Sequence, residues 1–303
     1  MSKPYLNLKD QIKHLKTKNI YIGNKATAKR ILTRVNFQRF LAYRLHFLDA
    51  SNNIKAGTKL KHIYLLYEFD KELRALTSPM LESIELNFRR HIAYELGSIG
   101  IHSYLNNLNF RDPFKHSILL NSINKSVNNP KDRKIISNHI KNYQDFLPIY
   151  KVVEILSFGE LSKLFENLKS SPVRTSPTTP KDKILEFYKK SKKIYSLNNK
   201  TLESWLRELV EVRNKCAHYD MLWDYERELK SLKRDPAWIN GAIIKNTNKY
   251  KFYGVCLIFK YLCLSKTQFQ NYIYNFEKLV KKYSTIINMS TLGFPNTWKN
   301  DLF

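Results

Sequence analysis

Glycine and proline are scarce in this chain of 303 residues, at 8 and 10. A fold made of many tight turns needs both, so a turn-rich all-β architecture is excluded. Cysteine is scarcer still. Cys216, Cys256 and Cys263 make no paired framework and no Cys-x-x-Cys, so neither a disulfide scaffold nor a zinc site is suggested. No metal and no other cofactor is expected, and a reducing cytoplasm fits. Long apolar runs are missing as well. The longest, Tyr253 to Leu264, is interrupted by Lys260 and is too short to span a bilayer. The opening MSKPYLNLKDQIKHLKTKN lacks the apolar core of a signal peptide. A soluble protein without membrane contact is expected.

Negative charge is the other shortage. Asp and Glu number 26 against 52 Lys and Arg, for a formal net charge of +26. Such a field attracts polyanions, and nucleic acid is the default partner. Lysine supplies 38 of the 52 basic residues. An AT-biased genome explains that preference over arginine but not the two-to-one excess of basic over acidic residues. What is abundant is apolar: 43% hydrophobic with 13% aromatic residues, enough for a substantial core.

Periodicity then predicts a mainly α fold. A short helix opens near Leu6 to Ile12, capped by Asn7 or Asp10, and Ile20 to Ile22 is a brief extended piece. Helices over Ala26 to Leu32 and Asn36 to Arg44 complete a small basic N-terminal lobe, residues 1–55. The main helical domain, residues 56–290, starts with the longest signal, Lys59 to Ile99, which Pro79 should break or kink into two helices. Tyr104 to Lys134, with breakers Asp112-Pro113 and Asn129-Pro130, reads as loops with one short helix. Lys151 to Lys169 is helical again, divided near Gly159. The Ser/Thr/Pro segment 170–180 is a flexible loop, Ile184 to Tyr195 resumes helix, and the last helices run over Phe252 to Leu264 and Gln268 to Ile287. Residues 291–303 form an extended aromatic tail.

Thr201 to Asp224, TLESWLRELVEVRNKCAHYDMLWD, reads as one amphipathic helix with Thr201 as its cap. With Leu202 at zero, Trp205, Leu206, Leu209, Val210 and Cys216 fall within roughly 80° on the wheel. Arg213 falls at roughly 20°, inside that stripe. A guanidinium there must be paired or face a cavity, because burying it bare costs several kcal/mol. Glu154, a carboxylate within an apolar helix, is a candidate partner. Asn214 and His218 share a face beside the stripe. Spacing alone is weak support, since the chain holds four Arg-x4–6-His matches: Arg39 to His46, Arg111 to His116, Arg133 to His139, and Arg213 to His218. A helix-end Arg and His serving as ion-pair partner and cap would account for the last match equally well.

Several blocks in order resemble one known family. They are Lys3-Pro4 with Gln11-Ile12, Arg39-Phe40-Leu41-Ala42-Tyr43, Tyr67-Glu68-Phe69-Asp70-Lys71-Glu72-Leu73-Arg74, and Ile84-Glu85 to Arg89 with Ala93-Tyr94. Leu147-Pro148-Ile149-Tyr150 through Glu154 and Phe158-Gly159, Arg213-Asn214 through Ala217-His218, and Gly293-Phe294-Pro295 to Trp298 follow. Together they resemble the Abi-like family, the AbiD/AbiF-type bacterial abortive-infection proteins. Gln38 and Tyr150 depart from the pattern at positions expected to pack. The resemblance implies a HEPN-like helical bundle whose Arg-x4–6-His motif is a metal-independent RNase site, acting in phage defence and sometimes alongside a structured non-coding RNA. Carried over residue by residue, it implies catalytic roles for Arg213, Asn214 and His218, with Glu85, Arg89 and Glu154 in support.

RNA cleavage without metal needs a base for the 2′-OH, an acid for the 5′-oxygen and a cation for the phosphate. Imidazole titrates near neutrality and suits the first two roles; a forked guanidinium suits the third. One motif per chain suggests a homodimer. Arg39, Arg44, Arg90 and Arg207 are candidates for holding RNA. Two readings follow: a restrained, toxic endoribonuclease, or a catalytically silent module that holds RNA in a ribonucleoprotein.

Overall fold

The computed structural model describes residues 5–128, 136–138, 146–169, 197, 199–228 and 249–303. The expected loop at 170–180, the helix over 184–195, the Asn129-Pro130 breaker, the Lys3-Pro4 opening and the Arg133 to His139 match lie outside these residues. The fold is mainly α, as the periodicity predicts. Helices α1 (Leu8–Thr17), α2 (Lys25–Leu32) and α3 (Phe37–Tyr43) each begin on an asparagine. The side chains of Asn7, Asn24 and Asn36 each accept two backbone N–H groups of the first turn, which an open helix end otherwise leaves unpaired. Tyr21 pairs in parallel with Lys59, joining the α1–α2 connection to the residue before the next helix.

That helix, α4 (Leu60–Ile99), is the axle of the fold. It runs 40 residues without interruption, and α3 and most of the helices downstream pack on it. Pro79 does not divide it. The ring and the neighbouring Ala75, whose carbonyl loses its intrahelical donor, both face solvent, where water can bond the freed oxygen. Arg74, Thr77, Met80 and Leu81 around it are buried against other helices, and this packing holds the axis across the defect.

The stretch after α4 is more helical than its polar composition suggests. Asp112-Pro113 starts α5 (Pro113–Val127) instead of breaking the chain: the Asp112 carboxylate accepts from the Phe114 and Lys115 N–H groups, and proline sits at the first helical position, where its missing N–H costs nothing. Next come α6 (Ile149–Ile155) and α7 (Phe158–Asn167). The division falls at Ser157, two residues before Gly159, through a capping box with Glu160. Helix α8 (Asn199–Ala217) carries the Arg-Asn-x-x-x-His run. A two-stranded antiparallel ribbon follows, β1 (Glu226–Glu228) with β2 (Lys249–Lys251), in register Glu226 to Lys251.

Helix α9 (Phe252–Leu262) is buried on nearly every side, and α10 (Lys266–Lys282) packs between it and α4. The C-terminal tail is folded, not extended. After a turn at Gly293 (φ +85°), Phe294 stacks on Phe276 with ring centres 5.0 Å apart, and α11 (Trp298–Leu302) follows. The Tyr253 hydroxyl donates to the Asp301 carboxylate at 2.9 Å, which closes the tail onto α9. A single apolar cluster runs from Ile12 to Leu302. Among the described residues no helix is long and apolar enough to cross a membrane.

Because Pro79 stands in a helix interior that packing enforces, Pro79→Ala should restore a hydrogen bond and remove a ring clash. We expect unchanged helicity by circular dichroism and an unfolding free energy raised by up to about 3 kcal/mol in urea titrations. A loss of stability would mean that the ring itself packs.

Candidate active site

Helix α8 buries Leu202, Trp205, Leu206, Leu209, Val212 and Cys216, with Val210 at the margin. It starts two residues before Thr201, which is buried inside it and is not its cap. It also stops at Ala217, short of Asp224. The stop is built from the backbone. His218 is the last residue whose N–H makes the regular bond four residues back, to the Asn214 carbonyl at 2.9 Å. Tyr219 then turns left-handed (φ +60°), the Asp220 N–H reaches back to the Lys215 carbonyl at 2.9 Å, and the Tyr219 N–H reaches Cys216 at 3.4 Å. This is the six-to-one and five-to-two bonding of a Schellman ending.

The residues beyond the stop are held by a buried polar cluster that sequence reasoning did not assign. Asp70 on α4 is fully buried and pairs with Arg74, one turn on, which is 6% exposed. The other Asp70 oxygen accepts the N–H groups of Leu222 and Trp223 at 2.9 and 2.7 Å. The Tyr43 hydroxyl of α3 donates to Asp70 at 2.6 Å. Burial and the adjacent carboxylate push the Tyr43 phenol well above its ordinary range, so it stays a donor. Arg74 also donates to the Asp220 carbonyl at 3.0 Å, and Arg39 of α3 donates to the Tyr219 carbonyl. The chain leaving His218 is thereby fixed at four residues, 219, 220, 222 and 223, by two earlier helices. The available signal was the pair itself: opposite charges four apart, each directly after a core residue of α4, Phe69 and Leu73.

On the other side of α8, Glu85 pairs with Arg89 through one carboxylate oxygen, and its second lies 3.9 Å from Arg213 Nε. Arg89 also donates to the Val153 carbonyl of α6. Glu85 and Arg89 therefore do gather at the motif helix. Glu154 does not: its side chain is exposed, and it is the carbonyl of its neighbour Val153 that α4 engages. Arg213 is likewise not buried. Its side chain is 42% exposed, because the buried arc of the last turns is set by Leu209, Val212 and Cys216, roughly 70° around the wheel from it. At this exposure the pair with Glu85 contributes at most about 1 kcal/mol. Asn214 is half-buried and His218 is exposed. Gln38 and Tyr150 face solvent too, so their departures from the family pattern do not touch the core.

Burial separates the described Arg–His matches. His116 is buried, 2.8 Å from the Tyr104 carbonyl and stacked on Phe110, while Arg111 pairs with Glu203 at 3.0 Å. His46 is half-buried, 3.1 Å from the Ile286 carbonyl and edge-on to Trp223 at 4.7 Å. Only His218 presents its ring to solvent. Between Arg213 and His218 the Cys216 thiol is no rival nucleophile, since burial pushes it up to about 11. Of the proposed RNA-holding arginines, Arg39 is bonded beside His218. Arg44 reaches the Leu41 carbonyl of its own helix at 3.5 Å, Arg207 lies 3.9 Å from Glu166, and Arg90 is exposed on α4. Among the described residues no cluster of three or more His, Cys, Asp or Glu is arranged to hold a metal ion.

Two outcomes test this construction. Asp70→Ala strands a buried guanidinium and two backbone donors, so it should cost about 3–5 kcal/mol of stability and speed amide exchange at Leu222 and Trp223. Glu154→Ala should stay within about 0.5 kcal/mol. Burial also holds the His46 imidazole below its ordinary range. The unfolded chain then takes up the proton first, so this contribution is complete above about pH 6.5 and lost as pH falls below it. In urea titrations His46→Gln should flatten the decline in stability between about pH 6.5 and 5.

Comparison with protein families matches residues 30–224 to the family described as Abi-like protein, a span that holds Asp70, Arg74, Glu85, Arg89, Arg213 and His218. Comparison with curated proteins and with solved structures gives no match. The family suggests a part in abortive infection, a phage-defence response. With well over half its length matched, and the clamped helix end inside that match, the chain belongs to the Abi-like protein family.

Proposed function

We propose that this protein is a metal-independent endoribonuclease of HEPN type acting in phage defence, with Arg213, Asn214 and His218 as its site. The observation that carries the reading is the contrast among the described Arg–His matches: His46 and His116 are spent on core packing, whereas His218 is exposed at a rigid helix end with a half-exposed Arg213 on the preceding turn. A net charge of +26 supports RNA as the ligand.

In this reading the Arg213 guanidinium takes the non-bridging oxygens of the scissile phosphate, and its contact with Glu85 keeps the fork oriented without neutralising it by burial. One imidazole removes the proton of the 2′-OH, whose oxygen attacks phosphorus. The bond to the 5′-oxygen breaks, and a second imidazole returns a proton to that oxygen. The products are a 2′,3′-cyclic phosphate and a free 5′-OH. Asn214 orients the phosphate or the ring. A single chain brings one such histidine, so the second comes from another copy of the chain in a homodimer. Nothing in this chemistry calls for a cofactor. The setting is the cytoplasm, where the substrate is found.

Arg213→Ala and His218→Ala should each lower the rate of RNA cleavage by at least about 100-fold while the fold melts as before. Cleavage unchanged in both variants would end the enzyme reading. RNA held firmly and never cut would favour the silent ribonucleoprotein instead. A strictly monomeric protein with full activity would remove the dimer. Affinity for RNA should fall steeply with salt, and a flat response would remove RNA as the ligand.

A further inference from the structure

The helix stop at Tyr219 is built from an ill-suited residue. Of the six described residues with positive φ, Gly23, Gly57 and Gly293 lack a Cβ, and Asn19 and Asn52 are of the one other type that tolerates this region well. Tyr219 is the exception, at φ +60°. A bulky residue there is strained, and the strain persists because the surroundings impose it. Here they are Arg39 on its carbonyl, and the Asp220 N–H and carbonyl bound to Lys215 and Arg74.

Packing does not explain the choice. The side chain is 66% exposed, and among the described residues no aromatic ring or cation covers it. A glycine would make the same backbone turn with less strain. An exposed ring kept in a strained conformation is available to a ligand. It stands on the residue after His218, on a backbone pinned from two helices, so the point from which the ring projects is fixed.

We infer that Tyr219 is a base-stacking platform: its exposed face receives a nucleobase of the RNA whose phosphate lies at Arg213 and His218. The inference rests on the ribonuclease reading for its ligand. An aromatic face accepts any base, so the platform sets the path of the strand and adds affinity without demanding a sequence. It also requires the nucleotide to be unpaired, because a base within a duplex offers no free face. The substrate class is thus single-stranded RNA, or a loop or bulge of a folded one.

Strain and ligand binding make opposite demands at this position, and that separates them by experiment. The probe is a fluorescein-labelled single-stranded RNA of mixed sequence. Its binding is measured with His218→Ala present, so that nothing is cut. Adding Tyr219→Gly should raise the melting temperature and weaken affinity roughly 5- to 150-fold. Tyr219→Phe keeps the ring and should bind within about twofold of the parent. The salt dependence should keep its slope in Tyr219→Gly, since stacking releases no counterions, whereas Arg213→Ala should flatten it. An unchanged affinity in Tyr219→Gly overturns the inference, and so does an affinity loss that accompanies dissociation of a dimer, which would make the ring a contact between copies. If the unmutated chain binds RNA but never cuts it, while Tyr219→Gly still loses affinity, the nuclease reading fails and the platform stands. If Tyr219→Gly binds and cuts as the parent does, the platform fails and the nuclease reading stands.

Discussion

The ion pair between Asp70 and Arg74 is the constraint on which the candidate site of this protein depends. Two opposite charges one helical turn apart on α4 are buried almost completely, and their remaining hydrogen-bonding capacity is filled by backbone from a segment about 150 residues later. A buried pair of this kind is not a large source of stability by itself, since desolvation offsets much of the attraction. Its effect is specificity. Only one position of residues 220–223 satisfies both charges, so α4 dictates where α8 ends and where the chain goes next. Tyr43 completes the arrangement from α3, which ties the N-terminal helices to the same point.

A second, weaker arrangement holds the other flank. Glu85 divides its carboxylate between buried Arg89 and half-exposed Arg213, and Arg89 passes the connection to the α6 backbone. The motif helix is thus gripped by α4 at two levels, tightly behind His218 and loosely beside Arg213. The difference suits the proposed chemistry. A histidine that moves protons needs a fixed base, whereas a cation that follows charge building on a phosphate needs a guided fork with access to solvent. Tyr219 adds a local cost at the same place. A strained residue can persist there because Arg39 holds its own carbonyl and Arg74 holds the next one.

Much of the fold was legible because it is written in local chemistry. The asparagine caps, the long apolar repeat of α4 and the encirclement of α9 by apolar residues each follow from a few neighbouring positions. Misreadings arose where a local signal has two outcomes. Pro79 in a bare helix is a kink, but between buried turns it is a tolerated defect. Asp112-Pro113 in a polar stretch looks like a breaker, yet it is a helix start. The helical wheel placed Arg213 inside the stripe because a wheel treats every turn alike; at the final turns the neighbours lie to one side, and the arginine emerges at the rim.

From the sequence alone came the α class, the basic field, the absence of a thiol or zinc framework, and a short list holding Arg213, Asn214, His218, Glu85 and Arg89. The class and the charge depend on residue types and on spacings within a few turns, whereas the short list rests on the resemblance to the Abi-like family. Tertiary structure decided which histidine of the described Arg–His matches is exposed, that Glu154 faces away, and that Asp70 and Arg74 close over residues 220–223. It also decided that a tyrosine occupies a glycine's conformation beside the site. Those outcomes depend on segments far apart in the chain meeting at fixed distances, and no pattern read along one segment contains them.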